Sequence, residues 1–518
     1  MTTLPFTAID HPNTFSSPSG AVQLETDVCV IGSGAGGAVM AAELAEGGMQ
    51  VALLEKGPYV TRKQMNQRER DMIPLLFEDA ASRTTKDGGM VVLHAHCVGG
   101  TTVVNNAICF DPPAWLLEEW AKQHGVVGIS ERELAPSVAK VNFILNVQEI
   151  VTPEINANAQ VMLRGAKALN LSGKLFRHNR TGCLQSGFCV VGCSYDRKQN
   201  MHITYVPRAL SFGARLYPET QIELLHQEGK YLKMASGFIR HRQTRQQFPL
   251  SVKAKLFVVC GGAISTPALL LANAIANSSG QVGKNLYCHP TAPVLADMGD
   301  EVVKAYQGIP QVSYLDDYLR PVNGFGGFLL ESIFAGPSLS ASFLPRWGKD
   351  LHEQMAHFNH FAAAFVQIRD EEPGRIWLDP SGIPVVDYAL DSRDAAKIRQ
   401  GYRMLAELYL QAGARVVHIP HSATPVITKK ADLSVIQQLS LAPAKTSLLS
   451  AHQMGTCRMG EDPRRTVVDS RGKAHDLENL YIADASVFPT AIGLNPQITV
   501  ASIATHFARQ LLRDRSKS

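Results

Sequence analysis

The sequence predicts an α/β fold with two sheets, a parallel sheet assembled from both ends of the chain and an inserted, mainly antiparallel sheet. Near the N-terminus, an apolar run at residues 27–31 precedes GSGAGG, an Ala-rich helical pattern and a second apolar run, VALLE, at residues 51–55. This order of strand, turn, helix and strand is that of a βαβ unit. Near the C-terminus, residues 479–490 contain another apolar strand that ends in an acid.

The C-terminal strand precedes a helical pattern that begins at Pro496, with apolar residues at helical spacing: Val500, Ile503, Phe507 and Leu511. Because both ends of the chain have strand and helix patterns of this kind, we expect one domain to be built from distant segments, with the middle inserted. In the middle, residues 374–388 alternate in polarity on either side of Pro380-Ser381-Gly382, which is typical of an antiparallel hairpin.

Composition indicates a large folded chain and excludes some classes of partner. The chain has 518 residues, of which 45% are hydrophobic and 19% charged. This length exceeds what one hydrophobic core supports, so two or more lobes are expected. The formal net charge is only +4, with basic and acidic residues interleaved. We therefore expect neither nucleic acid nor an anionic membrane surface as a partner.

Two segments bear on membranes and export. The first residues, MTTLPFTAIDHPNTF, lack the basic and apolar regions of a secretory signal, so the expected location is cytoplasmic. Residues 256–273 carry no charge and are long enough to raise the question of a membrane span. However, Gly261, Gly262 and Pro267 interrupt this run, which predicts a strand, a turn and a helix inside a globular domain, and no transmembrane segment.

The glycines of the first turn suggest a dinucleotide site. Gly32, Gly34 and Gly37 form GxGxxG directly after a strand and at the start of a helix, and Glu55 ends the next strand. Missing side chains let the backbone and helix N-terminus approach a pyrophosphate, and an acid at the second strand end can bind ribose hydroxyls. The alternative is a glycine turn needed only for packing the helix against the strand.

Further segments in this order resemble the glucose-methanol-choline (GMC) oxidoreductase family. They are VGGTTVVNNA at 98–107, GGAISTPALLL at 261–271, VGKNLYCHP at 282–290, AHQMGTCRMG at 451–460 and ADASVFPTAIGLNPQITVASIA at 483–504. The resemblance covers nearly the whole chain. It implies FAD bound to a Rossmann-like domain, a substrate domain with a mainly antiparallel sheet, and oxidation of an alcohol to a carbonyl by hydride transfer to the flavin.

The resemblance also implies contacts to FAD. Four positions match the loop that lies along the flavin and its pyrophosphate: Gly99, Gly100, Thr101 and Asn105. Asp484 and Ala485 match a contact at a strand end to the phosphates and ribityl chain. Some family members attach FAD through a histidine immediately before the loop asparagine, where this sequence has Val104. Non-covalent FAD is therefore expected.

Two residues match the family's active-site pair. His452, in the AHQMGTCRMG segment, matches the active-site histidine, and Asn495 matches the second position, which is His or Asn among relatives. An alcohol hydroxyl is a weak acid, so a base with a pKa near the working pH assists hydride departure, and we expect His452 to be this base. Asn495 can orient the hydroxyl. The positive N-terminal end of the helix at Pro496, if it faces the flavin, would stabilise negative charge there.

The same alignment of segments divides the chain. We expect residues 22–155, 208–300 and 446–518 to form the FAD-binding domain, the last of them with the catalytic histidine. Residues 156–207 would be a cysteine-containing segment of the substrate domain, and residues 301–445 the rest of that domain.

Cys183, Cys189 and Cys193 have the spacing C-x5-C-x3-C. Thiolates this close in sequence can converge on one iron-sulfur cluster. The spacing is similar to that in the catalytic subunits of bacterial FAD-dependent glucose dehydrogenases, whose three cysteines hold a 3Fe-4S cluster. Long-chain alcohol oxidases of the same family have a similar segment, for which a cluster is not an established trait. Reduced structural thiols are therefore the alternative to a metal site.

The remaining cysteines and several polar residues receive structural interpretations. We expect five cysteines to be small buried residues: Cys97, Cys109, Cys260, Cys288 and Cys457. Glu331, in an apolar run, is expected to face solvent on a strand, with a pocket carboxylate as the alternative. His94, His96 and His289 flank the matched segments and receive no chemical role.

The expected function is oxidation of a primary or secondary alcohol, with oxygen or an external electron acceptor reoxidising the flavin. An electron-transfer subunit would be a partner if the cysteines held a cluster. Apolar segments in the middle of the chain favour a hydrophobic alcohol over a sugar. Two other classes stay open, a lyase or decarboxylase on the same scaffold and a flavoprotein that only carries electrons.

Overall fold

The structure is a computed structural model that describes residues 8–334, 336–344 and 346–515. Its helices are α1 (Gly37–Glu46), α2 (Glu69–Leu76), α3 (Ala114–His124), α4 (Glu131–Ile144), α5 (Ala157–Ala168), α6 (Tyr205–Ser211), α7 (Gly262–Ala272), α8 (Pro337–Phe343), α9 (Gly348–Ala356), α10 (Ser392–Gln411) and α11 (Gln497–Arg515).

Strands β1 to β11 precede α7. They are β1 (Val22–Ile31), β2 (Val51–Leu54), β3 (Val91–Val92), β4 (Ile108–Cys109), β5 (Val147–Glu149), β6 (Lys174–Leu175), β7 (Arg177–Asn179), β8 (Arg215–Tyr217), β9 (Thr220–Glu228), β10 (Tyr231–Arg240) and β11 (Gln247–Val259).

Strands β12 to β22 follow α7. They are β12 (Lys284–Leu286), β13 (Thr291–Asp297), β14 (Ser313–Leu315), β15 (Phe328–Ser332), β16 (Phe361–Ile368), β17 (Gly374–Leu378), β18 (Pro384–Asp387), β19 (Val416–His418), β20 (Val426–Ile427), β21 (Leu449–Ser450) and β22 (Leu480–Ile482).

The first sheet joins the two ends of the chain. Its order is β8-β2-β1-β11-β10-β9, and β22 pairs with the end of β11. Strands β8, β2, β1, β11 and β22 are parallel, whereas β9 and β10 are antiparallel. Helices α1, α4, α6 and α11 pack on one another beside this sheet and share its apolar core. The predicted assembly of one parallel sheet from distant segments is confirmed.

Most predicted elements of the first sheet are present, with shifted boundaries. Strand β1 begins at Val22, five residues before the predicted apolar run, because Val22 already pairs with Leu250 of β11. The uncharged run at residues 256–273 forms the end of β11 and helix α7, as predicted. Within the residues that the structure describes, no helix has the length and apolar character needed to cross a membrane.

The second sheet is mainly antiparallel. Its order is β20-β19-β13-β16-β15-β14-β6; in addition, β21 pairs with β13, and β3 pairs with β21. Helices α5 and α10 cover one face: a Cβ atom at Gly401 of α10 would lie 2.2 Å from Val366 Cγ1 of β16. Side chains alternate along a strand, so Phe365 and Gln367 point to the opposite face. That face lines the candidate site.

A separate small sheet contains the predicted hairpin. Strands β17 and β18 pair antiparallel around the turn at Pro380-Ser381-Gly382, and Gly382 has φ +84°. The Asp379 side chain accepts backbone hydrogen bonds from Ser381 and Ile383, both 2.9 Å long, and closes the turn. Strand β13 belongs to the second sheet, although it lies within the segment 208–300 that was predicted to belong to the FAD-binding domain. The domain boundaries at residues 155, 207, 300 and 445 stay a prediction.

Candidate active site

The glycine turn after β1 brings backbone segments into contact. Gly32 has φ +102°, and a Cβ atom there would lie 2.3 Å from the carbonyl oxygen of Cys260. A Cβ atom at Gly37 would lie 1.8 Å from the Gly32 oxygen. A Cβ atom at Gly34 would have the Cα of Gly100 as its nearest neighbour, 3.9 Å away. Gly32 and Gly37 are therefore required for packing, whereas Gly34 leaves open space beside the start of α1.

Glu55 fixes this turn. Its Oε2 accepts hydrogen bonds from Ser33 N at 2.9 Å and Ser33 Oγ at 2.6 Å, and its Oε1 accepts one from Gly57 N at 2.8 Å. Ser33 Oγ in turn accepts a hydrogen bond from Gly99 N at 3.0 Å. The acid at the end of the second strand thus connects the glycine turn to the loop at residues 99–105.

A buried lysine holds the loop at residues 99–105. Lys198 Nζ donates hydrogen bonds of 2.7 Å to three backbone oxygens, those of Val103, Asn105 and Cys189. Burial lowers the pKa of Lys198 to about 8, so at neutral pH it is an ammonium group with three hydrogens for three acceptors. The sequence analysis missed this residue; its position beside the three cysteines was the only signal.

Asp484 closes the site from the C-terminal side. Its Oδ2 accepts hydrogen bonds from Gly262 N at 2.8 Å and Thr266 Oγ1 at 2.6 Å, and its Oδ1 accepts one from Ser486 N at 2.8 Å. These bonds connect the end of β22 to the start of α7. Helix α11, which begins one residue after Pro496, has its N-terminal end at the same cavity.

These segments surround one cavity of about 860 Å³. The predicted site residues that line it are Gly32, Gly34, Glu55, Gly100, Thr101, Asn105, His452, Asp484, Ala485, Asn495 and Pro496. Gly37 and Gly99 lie just behind the lining, in the turn and the loop that form it. The structure therefore brings the predicted FAD-contacting and catalytic residues together, while their individual roles stay predictions. Val104 lines the cavity where some relatives have histidine.

His452 and Asn495 approach the cavity from different parts of the chain. His452 follows β21, and Asn495 precedes α11. Both side chains are partly exposed to the cavity and otherwise enclosed by protein. Burial lowers the pKa of His452 to about 4, so its imidazole is neutral at neutral pH and able to accept a proton.

His289 packs behind His452, and the sequence analysis gave it no role. The two rings are 5.6 Å apart and nearly perpendicular. His289 Nε2 accepts a hydrogen bond from Gly493 N at 2.8 Å, two residues before Asn495. Asp370 accepts the backbone N–H of His289 at 3.1 Å, and His289 has the unusual φ of +46°. His289 therefore connects the surroundings of both predicted catalytic residues.

Glu331 was expected to face solvent, and this expectation is wrong. It lies on β15, is 2% exposed and lines the cavity. Its cross-strand partner Phe365 also lines the cavity, so both point to the face away from α10. The apolar pattern around Glu331 was compatible with either face of a strand; only the pairing with β16 decides between them. Burial raises the pKa of Glu331 to about 7, although hydrogen bonds from Gln311 and Asn495 oppose this shift.

The rest of the cavity is largely apolar. Side chains from α2, from the loop before residue 98 and from the region of α8 line it: Ile73, Phe77, Leu93, Phe334 and Phe343. His452, Asn495 and Glu331 thus lie in one continuous space with an apolar region.

Three family profiles match the chain. Two profiles described as GMC oxidoreductase match residues 73–291 and 370–504, and one described as FAD binding domain matches residues 27–63. The chain belongs to the GMC oxidoreductase family. The fold class expected from the resemblance, a Rossmann-like FAD-binding domain with a substrate domain on a mainly antiparallel sheet, is confirmed.

Among the relatives of this GMC oxidoreductase are long-chain-alcohol oxidases FAO1 and FAO3 of Arabidopsis thaliana, 29% and 27% identical to it. These similarities cover 96% and 93% of this chain, and 68% and 67% of the plant proteins. The GMC-type oxidoreductase y4nJ of Sinorhizobium fredii is 28% identical, with 97% of each chain covered.

Solved structures of similar fold have lower sequence identity. Pyridoxine 4-oxidase from Mesorbium loti has a TM-score of 0.67 at 17% identity, covering 93% of this chain and 98% of its own. A variant of formate oxidase from Aspergillus oryzae has a TM-score of 0.69 at 14% identity, covering 96% of this chain and 99% of its own. At these identities the likeness shows the fold of this GMC oxidoreductase alone.

The cysteine segment does not support the predicted cluster. Cys183, Cys189 and Cys193 line a separate small cavity of about 20 Å³. In the described part of the chain, no group of three or more His, Cys, Asp or Glu side chains is arranged to hold a metal ion. Burial raises the pKa of Cys189 to about 12, which favours a thiol, whereas a cluster ligand must be a thiolate. The residues as placed therefore do not fit a 3Fe-4S cluster.

The prediction for the other five cysteines is confirmed: all of them are buried. They are Cys97, Cys109, Cys260, Cys288 and Cys457.

A pair of glycine variants should separate FAD binding from folding. Gly34→Ala meets no atom closer than 3.9 Å, so the protein should fold but bind FAD more weakly, because the methyl group occupies the open space beside α1. Gly36→Ala is the matched variant, since its Cβ would lie 1.7 Å from the Ala483 oxygen and should impair folding itself. Flavin content and thermal unfolding of both proteins check this. Normal FAD binding by folded Gly34→Ala would contradict the prediction that the FAD pyrophosphate lies beside Gly34.

Lys198→Met should destabilise the protein and loosen its flavin loop. The substitution leaves three carbonyl oxygens without their donor, which we expect to cost about 3 kcal/mol or more of unfolding free energy. Lys122→Met, on the exposed face of α3, is the control. Thermal denaturation and FAD retention on gel filtration measure the effect. Equal behaviour of the two variants would show that Lys198 does not hold the loop.

Proposed function

We propose that this GMC oxidoreductase binds FAD non-covalently and oxidises a primary or secondary alcohol of apolar character to the carbonyl, with His452 as the general base. The observation that carries this proposal is the arrangement of His452 and Asn495 on a cavity continuous with the glycine turn at Gly34. One space thus offers a cradle for the cofactor, a neutral imidazole and an apolar region.

The residues fit FAD at one end of this space. Gly34 and Gly100 leave the backbone bare where a pyrophosphate would approach the start of α1, and Thr101 and Asp484 line the same region. Bound FAD would supply the acceptor for a hydride from the alcohol carbon. The N-terminal end of α11 contributes a positive dipole at the cavity. Val104 cannot form the histidyl bond found in some relatives, which supports non-covalent binding.

His452 suits the role of base. Oxidation of an alcohol removes the hydroxyl proton and a hydride from the adjacent carbon, so the proton needs an acceptor. Burial brings the pKa of His452 to about 4, below the value near the working pH that the sequence analysis expected of the base. This low pKa keeps the ring neutral in the resting protein, so that it can accept the proton. The Asn495 side chain faces the same cavity and can hold the alcohol oxygen by a hydrogen bond.

The cavity lining supports an apolar substrate. Ile73, Phe77, Phe334 and Phe343 offer a surface that solvates an alkyl chain and leaves a polyol without hydrogen-bond partners. Relatives named long-chain-alcohol oxidases support the same substrate class, and the word oxidase in their names favours oxygen as the electron acceptor. No step of the proposed reaction passes through the cysteine segment.

The purified protein should contain FAD that acid or heat releases, and an alcohol should reduce this flavin without oxygen. Anaerobic mixing with primary alcohols of six to sixteen carbons, with short secondary alcohols and with glucose tests the substrate class by loss of flavin absorbance. We expect reduction to be fastest with the longer primary alcohols. Admission of oxygen should restore the absorbance. Reduction by glucose alone would refute the apolar class, and no reduction by any alcohol would refute the function.

His452→Ala should slow flavin reduction by about 10²-fold or more, the usual worth of a positioned base. His452→Gln keeps a polar side chain without a basic nitrogen and should be equally slow. In the wild type, the contribution of His452 should be lost as pH falls through about 4, because the protonated imidazole accepts no further proton. Stopped-flow absorbance measures the rates, with His226→Ala on exposed β9 as control. An unchanged rate in His452→Ala would remove the assignment.

A further inference from the structure

Glu331 lies at the end of a directional chain of hydrogen bonds. Gln311 Nε2 donates to Glu331 Oε2 at 2.9 Å, and Asn106 Nδ2 donates to Gln311 Oε1 at 2.6 Å. A carboxylate only accepts hydrogen bonds, so Gln311 must turn its nitrogen toward Glu331 and its oxygen toward Asn106. All three residues line the cavity. The donor-to-acceptor directions of these two hydrogen bonds are those expected around an ionised Glu331.

Asn495 lines the same cavity as Glu331. The side chain of Asn495, like that of Gln311, lowers the pKa of Glu331 and so favours its ionised form. Glu331 Oε1 and Asn495 Oδ1 are both buried without a hydrogen-bond partner among the described residues. An asparagine amide has two orientations that differ only in the positions of nitrogen and oxygen. The groups around Asn495 must therefore determine which orientation its amide adopts.

We propose that Glu331 is a positioning residue that fixes the Asn495 amide with its nitrogen between the carboxylate and the alcohol oxygen. This inference rests on the proposed function. The amide nitrogen carries two hydrogens, so one binds Glu331 and the other is available to the alcohol oxygen. That oxygen gives its own proton to His452 and then needs a donor, which Asn495 provides only in this orientation.

Protonation of Glu331 should weaken the preference of the Asn495 amide for this orientation. A neutral carboxyl group can donate its own O–H to Asn495 Oδ1, which favours the opposite orientation of the amide. Because burial raises the pKa of Glu331 to about 7, the change falls within an accessible range, well separated from the titration of His452 near 4. Other titratable groups face this region: Tyr314 opposite Glu331 on β14, His178 bonded to the backbone of Gln311, and His452 across the cavity.

The pH dependence of flavin reduction tests the proposal. In the FAD-loaded wild type, the rate constant with the best alcohol should fall as pH decreases through about 7. Glu331→Gln has nearly the same shape but either end of its amide can face Asn495. Flavin reduction in this variant should be roughly tenfold slower at pH 8.5 than in the wild type. The variant should also lack the fall in rate near pH 7, which is the acidic limb of the pH profile. Retention of this limb in Glu331→Gln would overturn the proposal.

Gln311→Leu provides a second test that does not depend on the Glu331 variant. Loss of the donor to the ionised carboxylate should raise the pKa of Glu331, so the limb should move to higher pH. A structural effect on folding would lower the rate without moving the limb. Flavin content and visible spectra of both variants report their integrity, and an unmoved limb in FAD-loaded Gln311→Leu would count against the proposal.

A double-mutant cycle tests whether Glu331 acts through Asn495. If it does, the Glu331→Gln/Asn495→Ala protein should reduce flavin no more slowly than Asn495→Ala alone. Gln367→Leu is the control, since Gln367 lines the same cavity and its Nε2 has no partner among the described residues. Its effect should add to that of Asn495→Ala. Additive effects for Glu331→Gln as well would refute the positioning role.

The outcomes separate this inference from the function on which it rests. A wild type that no alcohol reduces would overturn the proposed function, and the inference with it. A wild type reduced by alcohols, with unchanged pH dependence in Glu331→Gln, would refute the inference alone.

Discussion

Glycines at the end of β1 let three distant segments touch through their backbones. Side chains at Gly32 and Gly36 would collide with the carbonyl oxygens of Cys260 and Ala483. These oxygens lie at the ends of β11 and β22, more than 200 residues further along the chain. The close approach brings Asp484 within hydrogen-bonding distance of Gly262 N and carries the segment that ends in Asn495 to the cavity. Both the proposed cofactor cradle and the proposed catalytic pair therefore depend on the same backbone contacts.

The second sheet supplies the other wall, and its two faces have different constraints. The face under α5 and α10 packs closely on these helices: Gly401 lies directly on Val366. The polar side chains buried there, Ser313 and Ser332, are small hydroxyls that form hydrogen bonds within the protein. The opposite face looks into the cavity and can carry Glu331 and Gln367, whose burial costs free energy without contributing to the core. On the cavity face, Glu331 Oε1 and Gln367 Nε2 have no hydrogen-bond partner among the described residues, which favours a binding role for this face.

The sequence predicted what local patterns encode and missed what long-range pairing decides. The βαβ unit ending at Glu55 and the hairpin around Gly382 are each contained in a short window, so periodicity and turn residues predicted them. Glu331 was misplaced because the side of its strand depends on pairing with β16. Lys198 and His289 were missed for the same reason: their partners at Val103 and Gly493 are about 95 and 204 residues away in sequence.

The surroundings of His289 bear on the positive charge that the proposed reaction would place on His452. His289 Nε2 accepts the Gly493 N–H, so in the neutral ring the proton lies on Nδ1, and protonation of Nε2 would break this bond. Its burial, together with His452 and Arg369 nearby, lowers the pKa of His289 far below the usual value. His289 is thus held neutral beside His452, 5.6 Å away. In the proposed reaction, a proton that arrives on His452 would therefore meet no second imidazolium, and no repulsion from His289 would oppose its transfer from the alcohol.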